Sequence, residues 1–202
     1  MKISTCPVVV LTGGPGGGKT TLIDELAHDP LWTGRFVALP EAIFLMPNMH
    51  VSRREKLFQR VIVSMQMALE DGVKRALEAN NPRLILCHRG SLDPLAYWLD
   101  RGWPEDEFFT FTGTTLAEHY RRYAAVIHLV TAADGAIDAY KRWPDAHRPE
   151  TPEDATRIDR LLQRVWCRHS QYMRIDNNGK DWAMKSREIH NLLGALWEKK
   201  FL

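Results

Sequence analysis

The sequence predicts a three-layer α/β/α fold around a five-stranded, mainly parallel sheet. Short apolar runs alternate with helical stretches of ten or more residues, the length a parallel crossover needs. The run PVVVLT at 7–12 is continuously apolar and β-branched, as a strand buried on both faces is. A glycine loop, Glu41 and His88-Arg89 each follow directly after such a run. That is the sheet edge where ligands collect in folds of this kind.

The elements follow in order. PVVVLT is the first strand, and KTTLIDELAHD opens the first helix, with Leu22 and Leu26 at helical spacing. RFVALP at 35–40 is the second strand, stopped by Pro40. A long helix is expected from Ser52, whose pairing with Glu55 reads as a capping box. Its inward stripe is read as Leu57, Phe58, Val61, Ile62, Met65, Ala68, Leu69, Val73, Ala76 and Leu77. Gln59 and Gln66 share another face, as substrate contacts or as exposed helix formers.

NNPRLILC supplies the third strand, ending at His88-Arg89-Gly90. A short helix through Ala96 and Leu99 stops at Gly102-Trp103-Pro104; Tyr97, Trp98 and Trp103 read as core packing, with the wall of a substrate pocket as the alternative. LAEHYRRY forms the next helix and AAVIHLV the fourth strand. From Asp134 to Glu150 the pattern dissolves into a polar, basic segment. Thr151, with Pro152 at the first helical position, opens a helix burying Ile158, Leu161, Leu162, Val165 and Trp166. QYMRID is the last strand, and the tail from Asp181 is helical. Length and a 45% hydrophobic content favour one domain over 1–202.

Five of the thirteen glycines fall within Gly13-Gly14-Pro15-Gly16-Gly17-Gly18-Lys19-Thr20, which fits G-x-x-x-x-G-K-[ST] between a strand and a helix. Glycine supplies the positive φ an anion nest requires and lets main-chain amides reach a phosphate. The amides of Gly16 to Thr20 are expected to point at a β-phosphate, aided by the positive end of the helix. Pro15 has no N–H and sits where none is needed. Lys19 is expected between β- and γ-phosphates, and Thr20 is the expected Mg²⁺ ligand. Thr21 either touches the α-phosphate or fills the first helical turn. The fold is thus expected to be of the P-loop NTPase kind, taking ATP or GTP with Mg²⁺.

With that loop, LPEA at 39–42, HRGSLDPLAYW at 88–98 and RYAAVIHL at 122–129, nearly the whole chain resembles the small AAA-type P-loop domains. That family includes the nicotinamide-riboside kinase domain of bacterial NAD regulators and a eukaryotic nucleotide- and phosphoinositide-binding protein. The resemblance implies nucleotide binding and a kinase-like fold. Members usually end the third strand in Asp-Arg-Gly, whereas here His88 stands in the aspartate's place. Either His88 stands in for that carboxylate with help from another, or phosphoryl transfer is lost and the fold only binds nucleotide. Glu41, in the family's Pro-Glu-Ala segment, is the expected general base. Arg89 reads as a clamp on substrate or phosphate, or as a structural ion pair. Asp93 reads either as a further supporting carboxylate or, before Pro94, as a helix N-cap, the latter preferred. The resemblance implies a lid segment at about 134–151, on which Arg142 and Arg148 either close over the transferring phosphoryl group or are solvated loop charges.

The remaining composition narrows the reading. Lys and Arg number 27 against 25 Asp and Glu, which gives no nucleic-acid or membrane-surface signal. Cys6, Cys87 and Cys167 are too few and too scattered for a disulfide framework, favouring a reducing cytoplasm. Cys167-Arg168-His169 lacks the second ligand pair of a zinc site. No run approaches a membrane span, and the start of the chain lacks a signal-peptide pattern. Asn177-Asn178-Gly179-Lys180-Asp181 has the letters of a guanine motif in the wrong spacing and reads as a turn. The expected activity is a Mg²⁺-dependent transfer of the γ-phosphoryl group of ATP to a hydroxyl of a small nucleoside-like metabolite. The alternative is a non-catalytic nucleotide-binding module.

Overall fold

A computed structural model describes residues 6–46, 51–80, 82–142 and 150–201. Five strands, β1 (Val8–Thr12), β2 (Phe36–Leu39), β3 (Leu84–His88), β4 (Ala125–Leu129) and β5 (Tyr172–Ile175), form one sheet in the order β2-β3-β1-β4-β5. Every pairing is parallel, so the sheet is more uniform than the mainly parallel one expected.

Alternate residues of the central strands serve opposite layers. Val8, Val10, Ile85, Cys87 and Val126 pack into a core with Leu95, Trp98, Phe108, Leu162 and Trp166. Their neighbours Val9, Leu11, Leu84, Leu86 and Ile127 join the other core with Leu22, Leu26, Ile189 and Leu193. Helices α1 (Lys19–His28) and α8 (Trp182–Phe201) therefore cover one face. On the other lie α2 (Lys56–Asn80), α3 (Asp93–Asp100), α4 (Glu105–Thr112), α5 (Leu116–Arg121) and α7 (Pro152–Trp166). The arrangement is the three-layer P-loop α/β fold.

Thr151 caps α7 as the sequence predicts, its hydroxyl accepting from the Asp154 amide at 3.1 Å. Several local expectations are corrected. The Ser52 box closes by half: Glu55 accepts from the Ser52 amide at 3.2 Å, but the Ser52 hydroxyl takes the Arg54 amide, and α2 begins only at Lys56. The buried face of α2 is also rotated from the apolar stripe. Phe58, Gln59, Val63, Gln66 and Glu70 are buried, while Leu57, Ala68 and Ala76 are exposed. Polar groups tolerate that burial because partners exist: Glu70 accepts from Gln66 at 2.9 Å, Tyr123 at 2.8 Å and Arg122 at 2.8 Å. Helix α4 and a 3₁₀ turn over Ala42–Leu45 form in stretches the sequence reading assigns to no element, and α6 (Ile137–Arg142) falls in the segment expected as a lid. α4 is too short for periodicity to announce it, but it buries Phe108 against Trp98.

Among the described residues no helix is long and apolar enough to cross a membrane. Cys87 and Cys167 are free thiols, and His169 places its Nε2 near the carbonyls of Tyr120 and Tyr123. Asn177–Lys180 closes as a turn through the Lys180 amide and Asn177 carbonyl at 3.3 Å.

Candidate functional site

β1 delivers the glycine loop at the carboxyl edge of the sheet, between β3 and β4. The loop's sequence follows from how closely it is enclosed. Gly13 has φ 123°, and a Cβ there would overlap the Leu129 carbonyl. Gly18, at φ 91°, caps α1 with its α-carbon against the Trp182 ring. Both positions combine a left-handed backbone with no room for a side chain, which leaves glycine alone.

Loop carbonyls are turned toward the surrounding protein. The Thr131 hydroxyl donates to the Pro15 carbonyl, and the Ala132 amide donates to Gly16 at 3.2 Å. Lys19 Nζ donates to the carbonyls of Gly13 at 2.8 Å and Gly14 at 3.0 Å. Among the described residues, the amides of Gly16, Gly18, Lys19 and Thr20 have no protein acceptor. Gly17 departs from expectation, its amide turning inward to Gly14 at 3.3 Å. Burial, with Arg89 close by, brings the Lys19 ammonium down to about 7 against the opposing pull of Glu41, Asp93 and Asp159. An anion placed among these amides would reverse that, since it supplies the charge the buried lysine lacks.

The strands beside β1 add the acid–base groups. Glu41 follows β2, and His88 and Arg89 end and follow β3. His88 Nε2 lies 3.2 Å from the Thr20 hydroxyl. Its Nδ1 is 2.9 Å from a Glu41 oxygen, close enough to favour a proton on Nδ1 although the line of a good hydrogen bond is not met. Arg89 Nε is 3.1 Å from the same oxygen. Burial alone would raise the Glu41 carboxyl; Arg89, then His88 and Lys19, outweigh it and hold it well below the usual carboxylate range. Burial likewise lowers the imidazole of His88 despite Glu41 beside it. At neutral pH the pair is therefore an anionic Glu41 and a neutral His88.

Arg89 is held from three sides and is the one described non-glycine residue with positive φ, at 78°. Asp93 takes Nη1 at 3.3 Å, Glu41 takes Nε, and the Tyr97 ring lies 5.5 Å beneath the guanidinium. A strained backbone persists only where its surroundings fix it, and it concentrates at functional sites. Arg89 is thus an ion-paired group in this structure rather than a free clamp.

Asp93 is not the N-cap of α3; Leu92 holds that position. Its buried carboxylate instead accepts from the Thr12 hydroxyl at 3.0 Å and from Trp166 Nε1 at 2.8 Å. Trp98 is core, Tyr97 supports Arg89 and Trp103 packs on Trp98, so none is free to wall a pocket by itself. Gln59 and Gln66 are buried, which excludes the exposed helix-former reading. Thr20 and Thr21 are exposed in the first turn of α1. Arg142 ends α6, with only its backbone described, and Arg148 lies outside the described residues.

The sequence reading missed Asp159 and Tyr140. Asp159 Oδ1 accepts from the Gly14 amide at 2.7 Å, and the Tyr140 ring covers the α-carbon of Gly16. Asp159 carried a signal, being an acid within the apolar stripe of Ala155, Ile158 and Leu162. Tyr140 carried none.

Comparison with known proteins fits this geometry. Two solved structures of deoxyadenosine kinase from M. mycoides, one with the products dCMP and a flexible dCDP bound and one with bound dATP, superpose with a TM-score of 0.52. Each is 15% identical and covers 93% of this chain and 99% of its own. The likeness is one of fold. No curated protein sequence matches the chain. A family model described as AAA domain matches residues 8–183, all five strands and every helix but most of α8, and the chain belongs to that family.

Proposed function

We propose that this protein is a P-loop kinase that binds ATP with Mg²⁺ and transfers the γ-phosphoryl group to a hydroxyl of a small nucleoside-like acceptor. The observation that carries the reading is one juxtaposition. A glycine loop with unpaired amides and a buried lysine adjoins an anionic Glu41 at the carboxyl edge of the sheet.

In this reading the amides of Gly16, Gly18, Lys19 and Thr20 cradle the β-phosphate. Lys19 leaves the carbonyls of Gly13 and Gly14 for the β- and γ-oxygens, where its positive charge offsets theirs. Gly13, Gly14 and Pro15 shape the turn, and Thr21 lies at the α-phosphate end. Glu41 accepts the acceptor hydroxyl's proton. Its low proton affinity makes it a weak base in the resting site, strengthened when substrate displaces Arg89 from it. Arg89, Arg142 and Arg148 supply cationic donors toward transferring oxygens, a role planar guanidinium groups suit.

The donor set fits a metal brought in with the nucleotide rather than one resident in the protein. Among the described residues no cluster of three His, Cys, Asp or Glu side chains could hold an ion. Thr20 offers a hydroxyl, and a neutral His88 at 3.2 Å can accept its hydrogen bond, leaving an oxygen lone pair outward. Thr20 would thus hold Mg²⁺ directly and His88 would orient that ligand. Mg²⁺ held there would supply charge neutralisation for the polyphosphate.

The test is calorimetry with magnesium–ATP and magnesium–GTP, followed by turnover over a panel of nucleosides. Binding lost in Lys19→Ala and phosphorylation of at least one nucleoside support the reading; no binding by the wild type overturns it. His88 in place of an aspartate favours a second reading, a nucleotide-binding module without turnover. Zero turnover in the wild type and a large gain in His88→Asp would select it. Placement of the protein in the cytoplasm and a single domain over 1–202 accord with either reading and are proposed with them.

A further inference from the structure

Asp159 has no role in the chemistry described so far, yet it is 3% exposed and its carboxylate is engaged on three sides. Oδ1 accepts the Gly14 amide at 2.7 Å and the Thr131 amide at 3.1 Å, and Oδ2 lies 3.0 Å from His128 Nε2. It comes from the middle of α7, whose Ala155 carbonyl is so near Gly14 that a Cβ there would meet it at 2.8 Å. One acid thus joins the start of the glycine loop, the end of β4 and α7.

We propose that Asp159 is a positioning residue for nucleotide, and that it sets the direction of the loop amides through Thr131. The proposal rests on the nucleotide-binding reading above. Its logic is the planarity of the peptide bond. In a trans peptide the carbonyl of one residue and the N–H of the next point opposite ways. Asp159 fixes the Thr131 backbone, the Thr131 hydroxyl holds the Pro15 carbonyl, and the adjacent Ala132 amide holds the Gly16 carbonyl. With the Pro15 carbonyl drawn outward to Thr131, the Gly16 N–H faces the opposite side, where a phosphate is expected. A nest of amides binds an anion only when its N–H groups converge. Asp159 sets that convergence before nucleotide arrives, through the two amide hydrogen bonds that its Oδ1 accepts.

The experiment compares Asp159→Asn, Asp159→Ala and Thr131→Val by magnesium–ATP calorimetry, with amide exchange of the nucleotide-free proteins. Asparagine keeps an oxygen able to accept both amides, so Asp159→Asn is expected within about threefold of wild-type affinity. Asp159→Ala is expected to weaken ATP at least tenfold and to speed exchange at Gly14 and Thr131. Thr131→Val keeps the side chain's shape and loses the Pro15 contact together with the 3.3 Å hydrogen bond its hydroxyl accepts from the Ala133 amide; about tenfold weaker binding is expected from it as well. Should Asp159→Ala fail to fold, Thr131→Val carries the test. Folded variants that bind ATP as the wild type does overturn the proposal. A wild type that fails to bind ATP overturns the nucleotide reading instead, while the exchange measurement still reports whether Asp159 holds the loop.

Discussion

The Nε2 of His88 stands 3.2 Å from the Thr20 hydroxyl, joining the end of β3 to the first turn of α1. A neutral imidazole in this place accepts a hydrogen bond from the threonine hydroxyl as a carboxylate would, but adds no negative charge. Removing it in His88→Ala should leave Thr20 free to rotate and lower kcat/KM about tenfold. Steady-state kinetics with saturating Mg²⁺ checks this, and unchanged kinetics would make His88 a bystander.

Glu41 meets both His88 and Arg89. As general base its loss in Glu41→Gln should cost about 10²-fold or more in kcat. ATP affinity by calorimetry should stay near wild type, because the glutamine keeps the shape and the loop is untouched. Equal losses in kcat and in ATP affinity would show that Glu41 shapes the nucleotide site instead.

Gly18→Ala puts a methyl into the Trp182 ring at a left-handed backbone position. The strain alone is about 1–3 kcal/mol, so melting temperature and nucleotide affinity should both fall. Adding Trp182→Ala relieves the overlap but not the φ, and should restore stability only in part. Full restoration by the double substitution would mean that packing alone excludes alanine.

Lys185, buried in the first turn of α8, donates to the Val130 carbonyl at 2.7 Å and to Asn177 Oδ1 at 2.9 Å. Burial brings its ammonium from 10.5 down to about 8, with Asp159 and Asp176 opposing. Between those values the unfolded chain binds a proton that the folded chain does not, so this group makes stability rise with pH from about 8 to 10.5. The unfolding free energy of wild type relative to Lys185→Met should climb across that window, by about 3 kcal/mol at most. Denaturant titrations at pH 8, 9 and 10 measure it, and a flat or falling difference would refute the buried-lysine assignment.

The glycine loop and the strands were legible because their signals are local. A run such as VVVLT has the composition of a strand buried on both faces, and the spacing of Gly13, Gly18, Lys19 and Thr20 is set by a single turn. The polar face of α2 was not legible, since Gln59, Gln66 and Glu70 break the apolar stripe and are tolerated only through Tyr123 and Arg122, more than fifty residues away from Glu70. Asp93 misled for the same reason: Pro94 after it marks a helix start, while Thr12 and Trp166 decide where its carboxylate goes.

By itself, then, the sequence determined the layer order and which loop can surround a phosphate, because both depend on residue type and spacing along the chain. Tertiary structure alone decided that His88 faces Thr20, that Arg89 is already paired and that Asp159 reaches Gly14. Those contacts join separate elements, and their directions exist only once the sheet and its two helical layers have closed around the loop.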